Sequence, residues 1–141
     1  KSNSTDNLIC SCLLHDYGHF ILEDPDELVK KNQDGKHEDV GYEYLKKFFK
    51  KEVVEPIKNH VLAKRYLARD KKYYNQLSEP SIVSLKLQGG LLNKKEAKSF
   101  EKKEFFHESI KLRKFDEAAK KVGVKIKDIT EYKNLLKIFL I

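Results

Sequence analysis

The chain has 141 residues, 40% hydrophobic and 36% charged, and its eight Phe and seven Tyr supply apolar bulk for a core. At this length the core needs neither a disulfide nor a structural metal. No stretch reaches the roughly eighteen consecutive apolar residues of a membrane-spanning helix, which excludes a membrane partner of that kind. The net charge of +7 raises the question of a nucleic-acid partner, but the lysines run from Lys30 to Lys137 and mix with acids, as in "KKEAKSFEKKEF". With no compact basic block interleaved with aromatics, they read as a solvated surface that attracts a small anionic substrate, with no nucleic acid bound.

In chain order, Leu8 to His15 reads as the end of a buried helix, stopped by Gly18. This stretch holds both cysteines, Cys10 and Cys12. Their C-x-C spacing is too tight for a comfortable disulfide, so they are expected as small core residues of a protein in a reducing cytoplasm. "EDPDEL" and "KNQDGK" follow as loop, punctuated by Pro25 and by Asp34-Gly35. Val40, Tyr44, Leu45 and Phe48 recur at three-to-four spacing and predict an amphipathic helix from His37 to Phe49. A third helix is expected from Val53 to Ala68, with Pro56 in its first turn, where a missing N–H does no harm.

Further on, Ser78 or Ser81 caps a short helix through Leu87, ended by Gly89-Gly90. Asn93 caps the next helix, to about Phe105. Another helix covers Glu108 to Lys121 and stops at Gly123, and the pattern from Asp128 to Ile141 is again helical. Only "VGVKIK" carries ambiguous strand alternation. The fold class is therefore all-α, one domain over residues 1–141 with no internal repeat.

Side chains with ligand chemistry fall at distinctive points of this frame. His15-Asp16, in "LLHDYGH", closes the first helix, where the backbone can turn two adjacent side chains toward one point. His37 opens the second helix, His60 lies midway along the third, and Asp116 sits inside the penultimate one. Imidazole and carboxylate together suit Fe, Mn or Zn, and a shared carboxylate can bridge two ions. One at a time, each reads equally as a surface group or a satisfied core residue, and so does Lys64 among so many lysines.

The blocks "HEDVGYEYLKKFF", "VVEPIKNHVLAKRYL", "SEPSIVSLKLQGG" and "KLRKFDEAAK", together with the His-Asp pair, narrow the choice. The chain resembles one branch of the HD-domain superfamily of helical metalloenzymes. That branch is the PhnZ-type di-iron oxygenases, which cleave the carbon–phosphorus bond of hydroxylated organophosphonates. The match runs from about Leu13 to Lys121. It implies an HD-type helical bundle with a di-metal site between helices, two iron ions in a mixed-valent Fe(II)/Fe(III) state, and dioxygen as co-substrate. Position by position, it implies that Asp16 bridges the irons, that His15 and Asp116 bind the first, and that His37 and His60 bind the second. Lys64, one helical turn after His60, is implied to hold the phosphonate, with His19, Ser81 and Ser84 facing the same pocket. The Gln88-Gly89-Gly90 turn would border that pocket, with no chemical role for Gln88. Arg113 and Lys120, about a turn either side of Asp116, are expected either to hydrogen-bond it or to form exposed ion pairs. His107 is expected at the surface.

The implied reaction is oxidative cleavage of 2-amino-1-hydroxyethylphosphonate or its trimethylammonium analogue, giving glycine or glycine betaine plus phosphate. Two alternatives stay open. One is an HD-type phosphohydrolase, in which the same ligands activate water against a phosphoester. The other is a non-catalytic HD domain with an incomplete site. The family pattern includes a further histidine on a helix ahead of the His-Asp pair, and "KSNSTDNLICSCLL" contains none. The chain is therefore expected to lack the family's N-terminal helical segment, with Cys10 or Cys12 as the nearby thiols that could stand in.

Overall fold

The computed structural model describes residues 3–18, 36–122 and 132–141. They contain helices α1 (Asn3–Leu14), α2 (His37–Leu45), α3 (Lys51–Leu67), α4 (Lys71–Asn75), α5 (Glu79–Leu87), α6 (Lys94–Glu101), α7 (Phe106–Val122) and α8 (Lys133–Ile138). Among the described residues the only β pairing is an isolated antiparallel bridge between Phe49 and Leu140. The expected all-α class is the observed one, and no described helix is long and apolar enough to cross a membrane.

Helix α3 is the axis. It packs against α7, α2 and α1, and α1 also reaches α7 and α8. Its N-terminal half puts Val53, Val54 and Ile57 into one apolar cluster with Cys10, Leu45 and Phe139. Its C-terminal half puts Ala63 into a second cluster with Leu92, Ala97 and Phe100. There the rings of Tyr66, Phe100 and Phe106 meet edge to face, with centroids 5.0 to 5.7 Å apart. Full burial of a side chain such as Ile57 or Phe100 is worth about 1.5–3 kcal/mol. The clusters therefore grip α3 at both ends and fix the rotation of His60 between them.

Helix α3 starts at Lys51, so Pro56 falls in its second turn rather than its first. There the proline deprives the Glu52 carbonyl of its usual i+4 donor. Helix α1 supplies a substitute: Asn7 Nδ2 donates to Glu52 O at 3.0 Å. One turn on, the Ser11 hydroxyl is shared between Val53 O at 2.8 Å and Asn7 O at 3.0 Å. Asn7 and Ser11 are both buried. The proline thus becomes part of the joint between α1 and α3.

Helix α2 ends at Leu45 rather than Phe49, because the next residues pair with the C-terminal segment. Lys50 N–H donates to Phe139 O, and Ile141 N–H donates to Phe48 O, both at 2.8 Å. The same pairing ends α8 at Ile138. Helix α6 ends at Glu101, and the following turn lays Phe106 on Phe100. Helix α4 was not expected from the sequence; its start signal is Asp70, whose carboxylate accepts from the N–H groups of Lys72 and Tyr73. Ser78, not Ser81, caps α5, and Asn93 with Glu96 forms a capping box on α6. Gly89 and Gly90 end α5 at φ +112° and +73°, values that favour glycine. The expected loop "EDPDEL", all of "KNQDGK" but Lys36, Gly123 and most of "VGVKIK" lie outside the described residues.

Candidate metal centre

The site is built where the end of α1, the start of α2, the middle of α3 and the middle of α7 meet. His15 Nδ1 lies 2.7 Å from Cys12 O, and His60 Nδ1 lies 2.6 Å from Ile57 O. A ring that donates through Nδ1 to its own helix turns Nε2 outward, and in the neutral ring Nε2 then carries the lone pair. His37 enters as the first residue of α2, after Lys36 turns the chain through a left-handed conformation at φ 51°.

The three Nε2 atoms converge on Asp16. His37 Nε2 is 2.9 Å from His60 Nε2 and 3.4 Å from Asp16 Oδ1. His15 Nε2 is 3.2 Å from Asp16 Oδ2 and 3.3 Å from Asp116 Oδ1. The two oxygens of Asp16 are thus divided, one toward His37 and one toward His15. Asp16, His37 and His60 each offer a ligand atom within 4.8 Å of the others, a grouping that could hold a metal ion. Buried His15 Nε2 faces both carboxylates without a hydrogen bond of good geometry, as expected of an atom aimed at a cation. Three imidazoles and two carboxylates suit a first-row transition metal. The residues present therefore fit a metal centre.

Burial disfavours the charged form of His15, but the carboxylates of Asp116 and Asp16 outweigh it and hold its pKa up to about 10. Burial would likewise raise Asp16, yet its close pairing with the rings of His15 and His37 dominates and keeps it well below the usual carboxylate range. His60 is pushed down to about 3, by burial first and then by the neighbouring imidazoles of His15 and His37. It is a neutral imidazole at physiological pH.

Asp116 is steadied from its own helix. Arg113 Nη1 donates to Asp116 Oδ2 at 2.5 Å, Nη2 to Glu117 at 3.0 Å, and Nε to the Tyr73 hydroxyl at 3.2 Å. Arg113 is buried, so the exposed-ion-pair alternative does not apply to it. The side chain of Lys120 lies outside the described residues, as does His19.

Lys64 is 6% exposed, and such an ammonium must be met by acceptors. Its Nζ donates to Ser84 Oγ at 2.5 Å and to Gln88 Oε1 at 3.1 Å. Ser84 in turn donates to the Ser81 carbonyl, whereas the Ser81 hydroxyl bonds Ser78 in the cap of α5. Gln88 is thus a site neighbour that had no role in the sequence. The available signal was its i, i+4 spacing from Ser84. Arg65 pins the same turn by donating to Gly90 O at 2.9 Å and Gly89 O at 3.4 Å. His107 is exposed and stacks edge-on against Phe106.

Cys10 and Cys12 are free thiols. Burial, reinforced by Asp6 and Asp116 respectively, pushes them up to about 11 and about 12. Neither is a thiolate at neutral pH; what Cys12 supplies is the carbonyl that orients His15.

Comparison with known proteins fits this geometry. Hydroxymethylphosphonate dioxygenase of Gimesia maris is 44% identical over 133 residues, covering 93% of this chain and 66% of its own length. The glycine-betaine-forming 1-hydroxy-2-(trimethylamino)ethylphosphonate dioxygenase of Leisingera caerulea is 39% identical over 129 residues, covering 91% of this chain and 66% of its own. The chain therefore spans about two thirds of the length of these relatives. The family model described as HD domain matches residues 3–137, and the chain belongs to the HD-domain family.

Proposed function

We propose that this chain carries the metal centre of a di-iron oxygenase that cleaves the carbon–phosphorus bond of a small α-hydroxyphosphonate. The observation that carries the reading is the division of Asp16, with Oδ1 toward His37 beside His60 and Oδ2 toward His15 beside Asp116. A carboxylate shared between two sets of donors can bridge two ions at one site. In this reading His15, Asp16 and Asp116 hold one iron, and Asp16, His37 and His60 hold the other. When bound, the pair supplies Lewis acidity and one-electron chemistry toward dioxygen.

The chain's own residues do the positioning. The carbonyls of Cys12 and Ile57 hold the His15 and His60 rings with Nε2 toward the centre. Lys64 lies one turn beyond His60 on α3, and its ammonium, steadied by Ser84 and Gln88, neutralises the phosphonate. One dioxygen converts the hydroxyl-bearing carbon to a carboxylic acid and the phosphonate to phosphate, breaking one C–P and one C–H bond. Atoms balance with no further oxidant. A 2-amino substrate gives glycine, the trimethylammonium analogue gives glycine betaine, and hydroxymethylphosphonate gives formate.

The names of the Gimesia and Leisingera relatives support an α-hydroxyphosphonate substrate. The test is to load the protein anaerobically with Fe(II), admit oxygen, and follow oxygen uptake and phosphate release with each of the three substrates. The reading expects equimolar uptake and release with at least one. Phosphate release without oxygen uptake would instead mark a phosphohydrolase, and neither signal would leave a non-catalytic HD domain.

A further inference from the structure

Helix α2 reaches the His15-Asp16 turn through a contact between two glycine backbones. A Cβ placed on Gly18 would stand 1.8 Å from His37 O, 2.6 Å from His37 C and 3.0 Å from Gly41 N. A Cβ placed on Gly41 would stand 3.1 Å from Gly18 N and 3.4 Å from Gly18 Cα. Real Cβ atoms do not come within 3.0 Å of a backbone atom, so any side chain on Gly18 must push the first turn of α2 away. Both glycines are buried, and neither has a positive φ. What each provides is room, not an unusual backbone conformation.

This contact bears directly on the metal centre. Gly18 lies two residues after Asp16, and the atom it meets is the carbonyl of His37. Asp16 Oδ1 and His37 Nε2 are 3.4 Å apart across that contact. We infer that Gly18 and Gly41 are positioning residues: their backbone contact seats His37 against Asp16 and so decides whether the carboxylate is shared between two donor sets. The inference rests on the two-ion reading above.

Gly41 separates this role from a merely structural one. A Cβ there would crowd Gly18 N at 3.1 Å, so a purely structural role predicts a Gly41→Ala protein that loses some stability yet binds metal unchanged once folded. The positioning role predicts a folded variant whose His37–His60 half binds an ion about 10- to 100-fold more weakly, while the His15–Asp116 half is kept. The experiment is an anaerobic calorimetric titration of wild type, Gly41→Ala and Gly18→Ala with Co(II), with circular dichroism as the check on folding. The expected result is two binding events in the wild type, and the second weakened in Gly41→Ala and lost in Gly18→Ala. Two unchanged events in folded Gly41→Ala overturn the inference even if Gly18→Ala does not fold. A wild type that takes up a single ion overturns the two-ion reading instead, and the inference falls with it.

Discussion

His37 and His60 stand with their Nε2 atoms 2.9 Å apart, 23 residues from each other in the chain. His60 is neutral, and its Nδ1 is engaged by Ile57 O, so the close pair has one nitrogen able to accept. The rings meet at 61°, with centroids 4.9 Å apart, which brings both Nε2 atoms to one point beside Asp16. Removing His60 should therefore empty one half of the centre. Under the proposed two-iron reading, His60→Ala is expected to lower iron from about two ions per chain to about one, with the proposed oxygenase turnover lost. Plasma emission analysis of the loaded variant measures this, and unchanged iron content would remove His60 from the ligand set.

The role proposed for Lys64, holding the phosphonate, can be separated from metal binding. Its ammonium touches Ser84 and Gln88, and none of the proposed ligands is on that side chain. Losing a charged hydrogen bond to the phosphonate costs about 2 kcal/mol, roughly thirtyfold in KM. Lys64→Ala should show that rise at unchanged iron content. Iron loss of the same degree would make the residue structural.

The proline in α3 predicts a coupling between helices. Asn7→Ala should cost about 1 kcal/mol in urea unfolding, because the Glu52 carbonyl loses its substitute donor. In a Pro56→Ala background the restored N–H can serve Glu52, and the same substitution should cost less by about 0.5 kcal/mol or more. Equal costs in both backgrounds would mean that Asn7 does not compensate for the proline.

The thiols give a pH-dependent test. The thiolate is the reactive form, and Cys10, held up at about 11 against an ordinary 9.0, carries about a hundredfold less of it at pH 8. Cys12, at about 12, carries less still. Native protein should show no fast thiol with a disulfide reagent at pH 8, and both cysteines should react in denaturant. The sign for stability follows. The unfolded thiols ionise above 9.0 while the folded ones stay protonated, so the unfolded state gains and stability falls as pH rises from 9 toward 12. A fast native thiol, or stability flat over that window, would contradict the burial of these groups.

Helix positions were legible in the sequence wherever the signal was local. The Asn93 cap and the Gly89-Gly90 stop involve only neighbouring residues, and the structure keeps them, whereas of the apolar stripe expected on α2 only Leu45 is buried, with Tyr44 and Phe48 exposed. Helix α2 ends early, and Pro56 sits a turn deeper than expected, because partners distant in sequence decide both. The C-terminal segment takes the backbone groups after Leu45, and α1 takes the carbonyl that Pro56 leaves without a donor. Helix α4 was missed because its signal is one capping aspartate and a single turn of chain.

At the centre the division is the same. The residue types of His15, Asp16, His37, His60 and Asp116, and their places on helices, are read from sequence, because ligand chemistry belongs to the side chain and helical phase to local spacing. That Asp16 turns one oxygen to each set, that Gln88 meets Lys64, and that Gly18 must be glycine for the sake of His37 were decided by tertiary structure. Each depends on the distance between segments far apart in the chain. Close packing around α3 sets that distance, and no local pattern encodes it.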